Sequence, residues 1–216
     1  MKMNKYTNLA AIMGVSLLSS VAQAVPVDVA ENGGFETGDL TGWTIFEIGG
    51  GAASVSTVNP SSGLYSGQGT CIGGPCDVLF KNANKGIGVV QPGQEITISF
   101  DYRGTQSVGG VIFAELFSEL DGGGVSKTEL LFGGPLFGAG DTWQTATITT
   151  TLGPDVSGGV TLQLKSSCGA EAACVSDAFF DNVSMTVNAI PVPAAVWLFG
   201  SGLIGLVGVA RKKKAA

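Results

Sequence analysis

Chemistry needs nucleophiles, bases or ligands at workable spacing, and this chain of 216 residues offers few. It has no histidine, which removes histidine-ligated zinc, a Ser-His-Asp triad and the usual neutral-pH general base. Four cysteines form two close pairs, Cys71-Ile-Gly-Gly-Pro-Cys76 and Cys168-Gly-Ala-Glu-Ala-Ala-Cys174. In an exported chain an even count reads as two disulfides. Pairing within each cluster closes two short loops, and crossed pairing between the clusters is the alternative. A four-cysteine zinc site competes with both, but neither cluster has the spacing of ~2–4 residues with a matching partner. A catalytic thiol would lack a histidine to activate it.

The 17 acidic residues are the other candidates. Glu115, Glu119 and Asp121 lie close in sequence, and two carboxylates flanking a glycosidic bond suffice for its hydrolysis. Nothing fixes a second carboxylate opposite them, and so many acids make such groupings expected by chance. Gly122-Gly123-Gly124 lacks the Gly-Lys-Ser/Thr ending of a phosphate loop and reads as a turn. The cargo therefore reads as non-catalytic, with a glycoside-active enzyme using paired carboxylates as the alternative. Lys2, Lys5 and the run Arg211, Lys212, Lys213 and Lys214 hold six of the 11 basic residues. Between residues 25 and 189 only Lys81, Lys85, Arg103, Lys127 and Lys165 face all 17 acids, a net charge of −12. Nucleic acid is excluded as a partner, since phosphate binding needs a cationic surface.

The elements that must position these groups read as strands. Glycine, 34 of 216 residues, is about twice its usual ~7% share, which fits many tight turns and few helices. Ile96, Ile98, Phe100 and Tyr102 alternate with Glu95, Thr97, Ser99 and Asp101, the period of a half-buried strand. Residues 110–118 are apolar on both faces, as a central buried strand would be. Residues 143–151 are threonine-rich, and Val160, Leu162 and Leu164 mark another strand. Weaker candidates are 44–48, 53–58, 78–80, 86–90 and 127–132. Roughly nine or ten short strands with glycine turns indicate a β-sandwich or barrel. Trp43 and Trp143 are expected to plug its core rather than line a sugar site. In the last strand Phe179, Val183, Met185 and Val187 define an apolar face interrupted by Asp181. A carboxylate there costs several kcal/mol unless it is paired, hydrogen-bonded or metal-bound. Alternatively the strand begins at Asn182 and Asp181 is solvated.

Both ends read as addresses. Lys2 and Lys5 precede an apolar stretch, 9–18, and then Ala22-Gln23-Ala24. A basic start, an apolar span of ~7–15 residues and small residues at −3 and −1 describe a secretory signal peptide, 1–24, cut by signal peptidase. At the other end 194–210 is uncharged and mostly apolar, and its 17 residues sit at the short end of the ~17–25 that span a bilayer. Prolines precede it and four cations follow, so the plain reading is a transmembrane helix that keeps the bulk of the chain outside the inner membrane.

The order of the tail residues is more specific. Ile190 is followed by Pro191-Val192-Pro193-Ala194-Ala195, then Trp197-Leu198-Phe199, a glycine-punctuated span and the basic end from Arg211 and Lys212. This resembles the PEP-CTERM class of sorting tails, in its VPLPA variant, with Ile190 and Val192 in place of the variant's Val and Leu. The resemblance is confined to 189–216. It implies recognition by an exosortase-type transpeptidase, loss of the span, and delivery to the cell surface or exopolysaccharide matrix of a Gram-negative bacterium.

A second resemblance concerns 25–188. Asn32-Gly-Gly-Phe-Glu36 with Thr37-Gly-Asp-Leu-Thr-Gly-Trp43 near the start, and Phe180-Asp181-Asn182-Val183 near the end, resemble extracellular jelly-roll modules such as the carbohydrate-binding type 4/9/22 families. This implies a jelly-roll-like all-β sandwich whose first and last strands pair. It also implies a structural Ca²⁺ where the ends meet, with Glu36 and Asp181 as carboxylate ligands; hard oxygen ligands suit that ion. The combined expectation is an exported, non-catalytic surface or matrix protein that binds or scaffolds exopolysaccharide.

Overall fold

The structure, a computed structural model, describes residues 25–188. The expected signal peptide (1–24), the expected transmembrane span (194–210) and the expected sorting residues Pro191, Val192, Pro193, Ala194, Ala195, Trp197, Arg211 and Lys212 lie outside the described residues. Turns cut the chain into strands β1 (Pro26–Asp28), β2 (Thr44–Ile48), β3 (Ala52–Ser56), β4 (Ser66–Ile72), β5 (Cys76–Lys85) and β6 (Glu95–Ser107). They continue as β7 (Gly110–Glu119), β8 (Val125–Leu130), β9 (Gly140–Thr151), β10 (Val160–Cys168) and β11 (Val175–Asn188). Among the described residues the one helical element is a 3₁₀ turn at Leu131–Gly133, and no helix is long and apolar enough to cross a membrane.

The strands form two antiparallel sheets, ordered β3-β4-β11-β6-β9 and β2-β5-β10-β7-β8, with β1 added to β11. The all-β sandwich is as expected. From β4 onward the chain changes sheet at nearly every turn, so partners in a sheet are distant in sequence: Leu164 lies between Phe80 and Ala114. Between the sheets Ile98, Phe100, Ile112, Leu116, Leu162 and Leu164 are buried. At one end of this core Phe35 stacks on Trp43 with ring centres 5.1 Å apart, and Phe80 meets Phe180 edge-on at 5.7 Å. Each such pair adds about 0.5–1.5 kcal/mol beyond its buried area.

Several local expectations are corrected. Residues 86–90 form a turn, with the N–H groups of Val89 and Val90 both donating to Gly86 O at 2.9 Å. Strand β4 was not expected, because Gly67 and Gly69 break its pattern. Their bare backbone is what the core uses: a Cβ on Gly67 would sit 2.5 Å from the Phe35 ring, and one on Gly69 would sit 2.9 Å from the Phe80 ring. Strand β7 alternates buried and half-buried residues, so one of its faces is open rather than both being covered. Trp43 does plug the core, its Nε1 donating to Asn32 O at 3.0 Å. Trp143 does not; it lies outside the core cluster.

The last strand shows why a simple alternation misled. Its register against β6 shifts between Asp181 and Ser184, and Asn182 takes a positive φ of 50°. Such a bulge swaps the faces of the strand. Ala178 and Phe180 point into the core before it, and Val183, Met185 and Val187 after it. Phe179 therefore belongs to the outer face, and Asp181 sits at the switch, fully buried.

The cysteines pair within each cluster, Cys71 with Cys76 and Cys168 with Cys174. The two loops meet at one pole, where Gly73 N donates to Cys174 O at 2.8 Å.

Candidate functional site

The first and last strands of the described residues pair as expected, with Pro26 opposite Asn188 and Asp28 opposite Thr186. Near this junction Glu36 and Asp181 flank Gly34: a Cβ built there would lie 3.5 Å from Glu36 Cγ and 3.8 Å from Asp181 Oδ1. The loop between β3 and β4 binds both carboxylates. Asp181 Oδ2 accepts from the N–H groups of Ser61 (2.8 Å) and Ser62 (3.0 Å), and its Oδ1 from Asn182 N–H (2.7 Å). Glu36 accepts from Leu64 N–H at 3.0 and 3.1 Å and from Tyr65 N–H at 3.1 Å. Burial pushes the Asp181 carboxyl above its ordinary pKa, against those N–H bonds, and the nearby Asp101 charge adds to the rise. Among the described residues no group of three or more Cys, Asp or Glu side chains is arranged to hold a metal ion. A carboxylate offers about four lone-pair positions. Each of these two has three in use, which leaves one for a further partner.

The other face of the β3-β4-β11-β6-β9 sheet carries a buried cation. Arg103 is 2% exposed, with its guanidinium 3.6 Å from the Phe179 ring centre and 5.2 Å from that of Trp143. Its Nη2 donates to Val58 O at 2.7 Å and its Nη1 to Asp141 at 3.2 Å, while Nε has no partner. The arrangement is closed over by the loop after β3, since Trp143 Nε1 donates to Asn59 O at 2.8 Å. It is packing, not an open site.

The open surface is the outer face of the second sheet. Because side chains alternate along a strand, β7 presents Phe113, Glu115 and Phe117 there. The register sets Gln163 of β10 beside Glu115, and Lys165 beside Phe113. Gln163 and Lys165 in turn neighbour Lys81 and Leu79 of β5, and Leu79 neighbours Phe46 of β2. The Lys81 ammonium lies 5.5 Å from the Phe46 ring centre and 5.2 Å from that of Phe117; Lys165 lies 5.3 Å from Phe113. The Gln163 amide donates to Glu115, and Asp77 accepts from the Ser167 hydroxyl and lies 3.5 Å from Lys165. Phe46 and Ile48 at the sheet edge are 46% and 52% exposed.

Three aromatic rings interleaved with amide, ammonium and carboxylate groups suit a ligand with both apolar and hydroxyl faces. The C–H face of a sugar meets the negative face of a ring, and fixed polar groups set its orientation. Of these residues only Glu115 was singled out from sequence, as a candidate acid and not as part of an aromatic face. The available signal was Glu115 between Phe113 and Phe117, a charge that a strand buried on both faces would not carry. Of the three acids noted there, Glu115 lies on this face, Glu119 ends β7 and Asp121 follows in the turn.

No family model and no curated protein matches the sequence. Solved structures similar in fold do exist. The enzymatically active domain of tailspike protein 4 from bacteriophage CBA120 aligns at TM-score 0.59 and 13% identity, over 74% of this chain and 21% of that one. The chain thus spans about a fifth of the length of that enzymatically active domain. The xylan-binding CBM22-1 domain of Paenibacillus barcinonensis Xyn10C aligns at 0.53 and 14%, over 79% of this chain and 99% of that domain. A cyclase from Fischerella sp. TAU aligns at 0.51 and 16%, over 76% and 98%. At these identities the likeness is one of fold.

Proposed function

We propose that the chain is an exported, non-catalytic protein of jelly-roll topology that binds polysaccharide on the open face of the β2-β5-β10-β7-β8 sheet. The observation that carries this reading is the row of exposed Phe46 and half-buried Phe113 and Phe117, with Lys81, Lys165 and Glu115 between them over the buried Gln163. A domain described as xylan-binding has the same fold over almost its whole length, which supports the same class of ligand. The full-length chain on a glycan array should retain at least one polysaccharide class, and a Phe46→Ala/Phe117→Ala variant should lose it. An array without any ligand would leave a purely structural role. The glycoside-active alternative needs a second carboxylate ~5–10 Å across a cleft; Glu115 is instead held by Gln163.

Export and sorting form part of the proposal and rest on the terminal motifs. The signal peptide takes the chain across the inner membrane, and an exosortase-type enzyme acts on the Pro191–Ala195 region before release to the surface or matrix. Mass spectrometry should then find material outside the membrane that lacks Trp197 and the basic end. Recovery of intact chains alone, in the inner membrane, would favour a plain anchor. A structural Ca²⁺ shared by Glu36 and Asp181 is a separate proposal, supported by their placement on either side of Gly34 and by the lone-pair position left on each.

A further inference from the structure

We propose that the glycan bound on this face is acidic, a uronate-containing polymer whose carboxylate pairs with Lys81. The inference rests on the reading of the face as a sugar site and names the class of sugar. Of the five cations within 25–188, four have a carboxylate within reach. Lys85 pairs with Glu31, Arg103 with Asp141 at 3.2 Å, Lys127 with Glu129 at 2.7 Å, and Lys165 with Asp77 at 3.5 Å. Lys81 alone has none among the described residues, although the same stretch holds 17 acids. Across the sheet Lys81 is paired with Thr44 and Gln163, and Gln163 already gives its amide to Glu115.

The position of the ammonium matters as much as its lack of a counter-ion. The Lys81 ammonium lies over both the Phe46 and Phe117 rings, 5.5 and 5.2 Å from their centres. A pyranose packed against either side chain would bring its ring substituents within reach of that ammonium. A C5 carboxylate is one such substituent, so one sugar unit can satisfy the ring and the charge together. A neutral sugar would offer the ammonium only hydroxyl dipoles, whereas a carboxylate adds the Coulomb attraction of a full opposite charge.

The overall negative charge of the domain does not forbid this. Charges further than about 8 Å are largely screened at physiological ionic strength. On the face itself Glu115 is engaged by Gln163, and Asp77 by Ser167 and Lys165. The amide leaves the Glu115 charge in place, so a ligand meets one cation without a counter-ion, Lys81, and one such anion, Glu115, with Gln163 between them.

The test compares polygalacturonate and polymannuronate with their methyl esters, which keep the sugar and remove the charge. Binding is measured with the full-length chain at physiological salt. The acid forms should bind about tenfold more tightly than the esters, a difference of about 1.4 kcal/mol, and the ratio should shrink as salt rises. Lys81→Gln should bring the ratio close to one and Lys81→Arg should preserve most of it. Lys85→Gln, which removes the same charge away from this face, should leave it as in the wild type. Equal binding of acid and ester by the wild type overturns the inference while leaving the sugar site intact. So does binding of neutral glycans alone, or an equal collapse of the ratio in Lys85→Gln. Loss of all glycan binding across the array would instead strike the sugar-site reading on which it rests.

Discussion

Arg103 shows how one residue can act as a hydrophobic one. Its stem and guanidinium plane fill the gap between Phe179 and Trp143, and two of its N–H groups reach Val58 O and Asp141. Arg103→Ala should cost about 2–4 kcal/mol in urea denaturation, from lost packing and an uncovered ring pair rather than from lost charge. Arg103→Met, which keeps a stem, should recover a large part. A loss as great for Met as for Ala would assign the effect to the ion pair instead. Glu129 gives a pH-dependent case. Burial works to raise its pKa, but the hydrogen bonds from Lys127 and Thr150 and the Lys127 charge outweigh it and hold the carboxyl below its ordinary value. The stabilisation is therefore present above the ordinary carboxyl range and disappears as pH falls through the depressed value. Glu129→Gln should be less stable than the wild type at pH 7, with the two denaturation midpoints converging in acid.

At the level of elements, β4 is the most exacting. Gly67 and Gly69 let the Phe35 and Phe80 rings lie directly on its backbone. Because Phe35 is fully buried and stacked on Trp43, it cannot move aside. Gly67→Val should thus destabilise by roughly 1–3 kcal/mol, the usual cost of overpacking, measurable as a lowered denaturation midpoint. This strand was illegible in the sequence for the same reason that it matters: its missing side chains leave no period to read. Strands β6, β9 and β10 were legible because threonine or charge alternates with Ile, Phe and Leu on one backbone. The end of β11 was read on the wrong face up to Phe179, since a bulge at Asn182 needs no residue that announces it. Asn82, Asn84 and Asn182 occur in similar contexts, but only Asn84 and Asn182 of these take positive φ. The aromatic face of the second sheet was missed because it is assembled from four strands, and each contributes only one to three residues. Sequence shows such rows strand by strand, while register across a sheet is decided by the whole fold.

For the molecule as a whole, the junction of the chain ends is where stability and cation binding would be linked. If Glu36 and Asp181 share a Ca²⁺, the folded state gains by mass action, at about 2.7 kcal/mol when free ion is ~100 times its dissociation constant. The melting temperature should fall on adding a chelator and be restored by excess Ca²⁺. Asp181→Asn should remove that response. A chelator without effect on the wild type would mean that the N–H groups of Ser61, Ser62, Leu64 and Tyr65 suffice for both carboxylates. The pairing of Pro26 with Asn188 and the burial of Asp181 agree with what the end motifs implied about the topology.

Strand β11 also has a mechanical meaning. It is 14 residues long and ends at Asn188, with β6 along one side from Val175 to Val187 and with β4 and then β1 along the other. A pull on the chain beyond Asn188, with the opposite sheet held, runs along this strand. Hydrogen bonds on both sides then bear the load together, in shear, and cannot be opened one at a time like a zip. If the proposed surface anchoring and polysaccharide binding hold, a domain tethered through such a central strand would resist traction between a cell and its matrix.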